Sequence, residues 1–314
     1  MAVKNGLTIR PPRQEDAEIV SNLVIACDIE DFGAPDFDLQ ELLDMWAGFD
    51  LENNVWIVEN EDQLIVGYAF LEEDSEEKLF SYGFVLPSAR GIGVGTALLN
   101  AIEERAQTLA NTSSINKRLQ NLIPSVRNDA HNLLSSRGYS PVRYYKRMSI
   151  KMEKAPIVPN IPEGLIISTF VPNQDEQAVY DTYVEAFSDH WDFAAPPFEA
   201  WLDKTKLSSF TPEWWFVVRN KNSEIVGVAL SKMNEDTLYI NQIGVRRSYR
   251  GMGIGQALLQ QAMYTAFEAG QPTVSLGVDS ANLTGAYRLY EKVGMKVIHE
   301  VTLCEKPIMV VNNI

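Results

Sequence analysis

The chain has 314 residues, 46% of them hydrophobic, enough to bury one large core or two ordinary ones. Its 42 acidic residues outweigh 27 basic ones, and the net charge of −15 argues against nucleic acid as a partner, because phosphate backbones need clustered Lys and Arg. No stretch reaches the length of a membrane-spanning helix, the first residues lack an apolar signal core, and Cys27 and Cys304 make no metal or disulfide framework, so a cytoplasmic protein with no membrane partner and no metal is expected.

A strand signal comes first, Gly6-Leu-Thr-Ile-Arg10, then a polar turn and an acidic helix start at Arg13-Gln-Glu-Asp-Ala17. Residues 11–80 hold 20 of the 42 acids and two bases, Arg13 and Lys78. Such a run usually marks a solvated face; its functional alternative is a field that draws cationic substrates to an acidic rim. Strand Val55-Trp-Ile-Val58, turn Asn60-Glu-Asp-Gln63 and a return over Leu64 to Leu71 form a hairpin. A further strand leads into Val85-Leu-Pro-Ser-Ala-Arg-Gly-Ile-Gly-Val-Gly95, and Leu98, Leu99 and Ile102 keep helical spacing beyond it. Residues 105–154 then reverse the charge, with ten bases against Asp129 and Glu153. In Lys154-Ala-Pro-Ile-Val-Pro-Asn-Ile-Pro-Glu163 the prolines can continue neither a helix nor a central strand, which makes 154–163 a linker.

The second half repeats the first. Gly164-Leu-Ile-Ile-Ser168 and the helix start at Asn173-Gln-Asp-Glu-Gln177 are followed by a hairpin of Trp215-Phe-Val-Val218, Asn220-Lys-Asn-Ser223 and Ile225 to Leu230. Val245-Arg-Arg-Ser-Tyr-Arg-Gly-Met-Gly-Ile-Gly255 then lies 160 residues after its first copy, since 245 − 85 and 250 − 90 agree. A period this long is a whole domain repeated. Domains over 1–153 and 164–314 are expected, each in the order β-α-α-β-β-β-α-β-α-β. That order predicts an α/β fold of the α+β mixed-sheet kind, partly antiparallel, with helices on both faces.

The repeated segment follows a strand, is rich in glycine and opens a helix. Without a Cβ at Gly91, Gly93 and Gly95, or at Gly251, Gly253 and Gly255, successive N–H groups can point at one anion, aided by the helix dipole. The chemistry implied is a pyrophosphate held by main chain. A P-loop would need a lysine where Gly95-Thr96 and Gly255-Gln256 have none, and alternating glycines preceded by arginine do not form a Rossmann fingerprint.

The form Arg-x-x-Gly-x-Gly, at Arg90–Gly95 and Arg250–Gly255, resembles the acetyl-CoA signature of the GCN5-related N-acetyltransferase (GNAT) superfamily. The fuller Val-x-Pro-x-x-Arg-Gly is complete in the first copy with Pro87, whereas the second has Arg247 there. The resemblance implies an acetyl-CoA site made by Val245, Arg250, Gly251, Met252, Gly253, Ile254, Gly255 and Gln256, with Val85, Arg90, Gly91, Gly93, Gly95 and Thr96 in the first copy. Asn282-Leu-Thr-Gly-Ala-Tyr-Arg-Leu-Tyr-Glu-Lys-Val-Gly294 resembles the later motif of the same superfamily. It reads as an amphipathic helix with Leu283, Ala286, Leu289, Tyr290 and Val293 on one face and Gly294 in the left-handed position after it. The resemblance implies that Tyr290 protonates the departing thiolate and that Asn282 contacts the cofactor arm.

The first half departs from this pattern. Four residues before Gly138, where Tyr290 stands before Gly294, lies Leu134, and Val126 takes the place of Asn282. Leucine cannot donate a proton. A weakened first half before an intact second half resembles the tandem two-domain type that includes mycothiol synthase and its relatives, which implies a catalytic C-terminal domain and a structural or cofactor-binding N-terminal one.

The activity implied is acetyl transfer by direct attack of an amine, with N–H groups of a splayed strand ending near Val245 holding the carbonyl oxygen. The base is not legible; Asp189, His190, Trp191 and Asp192, with Asn241 on the strand before the glycines, are the candidates for the acceptor side. The expected acceptor is a small cationic amine. A protein or peptide N-terminus, and a non-catalytic acetyl-CoA-binding module, are the alternatives. A monomer or a homodimer is expected.

Overall fold

The computed structural model describes residues 2–3, 6–35, 37–206, 210–234, 236–282 and 285–311. The first repeat runs β1 (Ala2–Val3), β2 (Leu7–Arg10), α1 (Ala17–Phe32), α2 (Leu39–Gly48), α3 (Leu51–Asn54), β3 (Val55–Glu59), β4 (Ile65–Ser75), β5 (Lys78–Val85), α4 (Val94–Ser113), β6 (Lys117–Pro124), α5 (Asn128–Ser136) and β7 (Ser140–Lys151). The second runs β8 (Ile166–Thr169), α6 (Glu176–Phe187), α7 (Phe198–Asp203), β9 (Trp215–Arg219), β10 (Ile225–Asn234), β11 (Thr237–Val245), α8 (Ile254–Glu268), β12 (Thr273–Asp279), α9 (Ala286–Lys292) and β13 (Lys296–Ile308). The element order expected from the sequence is found in the second repeat, and in the first with the short β1 and α3 added. The period of 160 recurs in the strand ends at Val85 and Val245 and in the helix starts at Val94 and Ile254. Among the described residues no helix is long and apolar enough to cross a membrane.

The two compact units do not coincide with the division 1–153 and 164–314. One comprises the chain up to Tyr145 together with His299 onward, and the other comprises Lys146–Ile298. The covalent order hides this, because the last strand of each repeat pairs away from its own repeat. In the first unit Val301–Ile308 pair antiparallel with Lys117–Pro124 of β6. In the second, Met148 from β7 is fully buried in the core, and Ser149 Oγ donates to the Val274 carbonyl at 3.3 Å.

The strand order is β1-β2-β3-β4-β5-β6-β13 in the first unit and β8-β9-β10-β11-β12-β7 in the second. β5 and β6 run parallel, as do β11 and β12, while the hairpins β3–β4–β5 and β9–β10–β11 are antiparallel. Both faces are covered, so neighbours along a strand serve different cores. Val58 packs with α4 and α5, and Ile57 with α1 and α2. Val218 packs with α8 and α9, and Val217 with α6 and α7. On α8 the spacing of Ile254, Leu258, Leu259 and Met263 turns one stripe inward, and each such burial contributes about 1.5–3 kcal/mol.

The hairpin turns are set by asparagine. Asn60 Oδ1 accepts from the N–H groups of Asp62 and Leu64 at 3.1 and 2.9 Å, and Asn220 Oδ1 accepts from Asn222 and Glu224 at 2.9 and 3.0 Å. A short side chain that bonds its own loop is why asparagine marks a turn.

One buried polar pair makes a direct stability prediction. Trp46 Nε1 donates to Tyr68 Oη at 3.0 Å, with both rings buried, and burial pushes the Tyr68 phenol well above its usual range. Tyr68→Phe strands the indole N–H and is expected to cost about 1–3 kcal/mol. A lower denaturant midpoint of the first unit, followed by Trp46 fluorescence, is the expected result.

Candidate functional site

The site forms where two parallel strands part. β11 pairs with β12 from Thr237 to Ile240, and residues 241–245 of β11 then run on without that neighbour. β5 and β6 behave alike, pairing over Lys78–Ser81 before 82–85 diverge. The copies differ at the parting point. Leu230 faces Gln242 and Ser231 faces Ile240, so Asn241 is an extra, bulged residue, whereas Phe70–Glu72 pair with Phe80–Tyr82 in unbroken register. A bulge breaks the ladder and re-aims the local backbone.

Beyond the parting strand, the chain turns through Gly251 and Gly253, with φ of +78° and +84°, into α8. Gly91 and Gly93 repeat this at +83° and +102°. A Cβ on any of the four would meet nothing within 4 Å, so the glycines answer to backbone conformation and to the open space beside them. The N–H groups of residues 251–256 meet no acceptor among the described residues, and Ala257 N–H is the first engaged, on Gly253 O at 3.0 Å. A row of open amides at the positive end of a helix is an anion site by construction.

The arginines of the two signatures turn back into the protein. Arg250 donates through Nε to Val245 O at 3.3 Å, through Nη2 to Ala186 O at 2.9 Å, and through Nη1 to Asp189 at 2.9 Å. Arg90 likewise reaches Val85 O at 3.4 Å and Asp31 at 3.1 Å. Their guanidinium groups brace the glycine turn against the preceding strand and helix. Arg247, which stands where the first copy has Pro87, shares Asp189, and its N–H donates to Glu185 Oε1 at 3.0 Å. Asp189 therefore spends its carboxylate on Arg247 and Arg250, which hold its pKa below the usual carboxylate value.

The helix carrying the second motif spans Ala286–Lys292, and Gly294 after it has φ +95°. Leu283, expected on its apolar face, lies outside the described residues. α9 packs on the mouth of α8: Leu289 Cδ2 lies 3.7 Å from where a Gly255 Cβ would stand. Leu133 Cδ2 lies 3.4 Å from the same point on Gly95. Leu289 and Leu133 are thus equivalent, and the next residues, Tyr290 and Leu134, occupy one place in the two copies. Both are buried. Burial alone pushes the Tyr290 phenol up to about 12, so it remains a proton donor throughout the neutral range.

The other candidates lie on β11, past β12 and past α6. Asn282 follows the end of β12 and donates its N–H to Asp279 O at 3.0 Å. Asn241 is the exposed bulge residue. His190 is partly buried just past α6; its N–H bonds Phe187 O at 2.8 Å and its ring lies 4.4 Å from that of Phe187. Trp191 is partly buried beside it, and Asp192 holds a φ of +55°. Val245, Met252, Ile254 and Gln256 all lie on the strand end, the turn and the first turn of α8. Among the described residues no group of three or more His, Cys, Asp or Glu could hold a metal ion.

Sequence reasoning missed the bulge and Gly244. A Cβ at Gly244 would fall 2.7 Å from Ala186 Cβ and 3.1 Å from Phe187 Cε2, so the glycine lets the end of α6 close onto β11. Its only sequence signal was an isolated glycine within a strand pattern.

Two mixed α/β units, each with a strand pair that parts over an open helix mouth, define a tandem acyltransferase architecture. Residues 176–295 match the acetyltransferase (GNAT) family and residues 52–141 match the acetyltransferase (GNAT) domain. A GCN5-related N-acetyltransferase from Sphaerobacter thermophilus shares the fold with a TM-score of 0.85 and 33% identity, covering 100% of this chain and 99% of that one. Mycothiol acetyltransferase from Catenulispora acidiphila is 27% identical over 91% of this chain and 94% of its own length. The enzyme of that name from Streptomyces scabiei is 30% identical over 73% of this chain and 72% of its own. The chain belongs to the GNAT family and is a tandem N-acetyltransferase.

Proposed function

We propose that the second unit transfers an acetyl group from acetyl-CoA to the primary amine of a small cationic acceptor by direct attack, without a covalent enzyme intermediate. Acetyl-CoA would supply the acetyl group already activated as a thioester. The N–H groups of residues 251–256 would hold its diphosphate, and Asn282 its arm. The parted strand end at 241–245, re-aimed by the bulge, offers main-chain donors to the carbonyl oxygen. Tyr290 gives its proton to the departing sulfur.

One observation carries this proposal. The two copies share the glycine turn and the packing of α9 or α5 on it, but only the second has a buried phenol, Tyr290, where the first has Leu134. The first unit accordingly takes a structural or nucleotide-holding role without an acid. The net charge of −15 supports a cationic acceptor, and the name of the mycothiol acetyltransferase relatives supports a small molecule over a protein.

Release of free thiol from acetyl-CoA, measured across amino sugars, polyamines, cysteinyl amines and peptide N-termini, tests the proposal. Turnover with a small amine supports it. Turnover with peptides alone transfers the activity to a polypeptide acceptor, and no turnover with any amine, despite acetyl-CoA binding, contradicts it.

A further inference from the structure

Acetyl transfer to an amine needs a group to take a proton from nitrogen, and neither Tyr290 nor the amide row can do so. Resting on the function proposed above, we infer that His190 is that group: a catalytic base set at the mouth of the strand parting in the second unit. The ring is placed by α6 and, through Phe187, by β11. Phe187, at the end of α6, lies 4.4 Å from it, and that same Phe187 packs over Gly244 of the diverging β11 end. The His190 N–H is fixed on Phe187 O at 2.8 Å, and its carbonyl accepts from Phe193 at 3.3 Å, which holds the loop against the helix. Asp279, at the end of β12, and Arg250, on the glycine turn, are charges that act on the imidazole. Through Phe187 the ring sits against the diverging end of β11, on one side of the parting.

The surroundings keep the ring neutral. Burial lowers the His190 pKa from 6.5, and Arg250 on the glycine turn lowers it further, while Asp279 and Asp189 work in the opposite sense without overturning the result. Asp189 is already committed to Arg247 and Arg250, and the Asp279 carboxylate accepts from Ala281 N–H at 2.8 Å. A neutral imidazole is the protonation state a base requires. Asp189, its neighbour in the chain, is held ionised in its ion pairs and is a weaker base.

The step balances as follows. The acceptor nitrogen forms a bond to the acetyl carbon and loses a proton to His190. The carbon–sulfur bond breaks, its electron pair goes to sulfur, and sulfur takes the Tyr290 proton. His190 later releases its proton to water, and Tyr290 recovers one.

The test pairs kinetics with a titration that needs no turnover. The chain has three histidines, so the His190 imidazole resonance is assigned by its absence in His190→Gln. In wild type it should titrate below 6.5 and move when coenzyme A is added. With the fastest amine of the panel, His190→Gln should lower kcat by about 10²-fold or more, the usual scale for a lost base, and abolish the acidic limb of the pH profile. Acetyl-CoA affinity and melting temperature should stay at the wild-type values. A resonance indifferent to coenzyme A, or a variant that keeps the wild-type acidic limb and turns over within threefold, overturns the assignment. Either result with an active wild type leaves the acetyl-transfer proposal standing, whereas an inactive wild type removes both.

Discussion

Tyr290→Phe is expected to slow acetyl transfer by about 10²-fold or more while acetyl-CoA affinity stays within about twofold, because loss of a positioned acid costs on that scale. The substitution removes one oxygen from a side chain only 5% exposed and keeps the ring that packs beneath α8, so the fold is preserved. The phenol enters the reaction as the C–S bond breaks, and its loss should therefore appear in kcat rather than in binding. The pH behaviour has a definite sign. A group whose pKa is raised to about 12 stays protonated up to that range, so the alkaline side of the profile below pH 10 should not reflect loss of this acid. Stopped-flow detection of released thiol from pH 6 to 10 reads both effects. Unchanged turnover in the variant would remove the acid role.

Gly253→Glu should abolish acetyl-CoA binding in the second unit. With φ at +84° any L side chain is strained there, and a left-handed backbone costs about 1–2 kcal/mol before any contact is made. The larger effect is electrostatic. Nothing stands within 4 Å of the missing Cβ, so the new carboxylate would enter the space faced by the open amides and compete with a diphosphate for them. Calorimetry should show affinity for acetyl-CoA falling by about 10²-fold or more, which corresponds to about 2.7 kcal/mol. Gly253→Ala, carrying the strain without the charge, should lose far less. Equal losses in the two variants would assign the effect to the backbone and remove the amide cradle from the explanation.

How far the sequence could be read depended on whether a feature was local. The glycine turns, the asparagine hairpins and the stripe of Leu258, Leu259 and Met263 each follow from a few neighbouring residues, and the order of elements came with them. Counting back from Gly138 and Gly294 paired Leu134 with Tyr290, and the packing of Leu133 and Leu289 on Gly95 and Gly255 supports the same register. The unread features all depend on long-range partners. Arg247 and Arg250 reach Asp189 some 60 residues earlier in the chain, so a residue expected on the acceptor side also braces the turn. The bulge at Asn241 is a matter of register between strands, which no single strand records. The exchange of final strands reverses what covalent order suggests, because β13 finds its partner in β6 rather than in its own repeat. His190 gave only a residue type. Its place against Phe187, which packs on Gly244 of β11, is set by tertiary contacts.

The central claim is that open amides at the mouth of α8 hold a diphosphate while Tyr290 stands beside the reacting sulfur. A crystal structure of the protein with coenzyme A tests it most directly. The predicted result is diphosphate density on the N–H groups of residues 251–256, with the thiol within hydrogen-bonding reach of Tyr290 Oη. Coenzyme A bound elsewhere, or a thiol lying beyond the reach of that phenol, would contradict it.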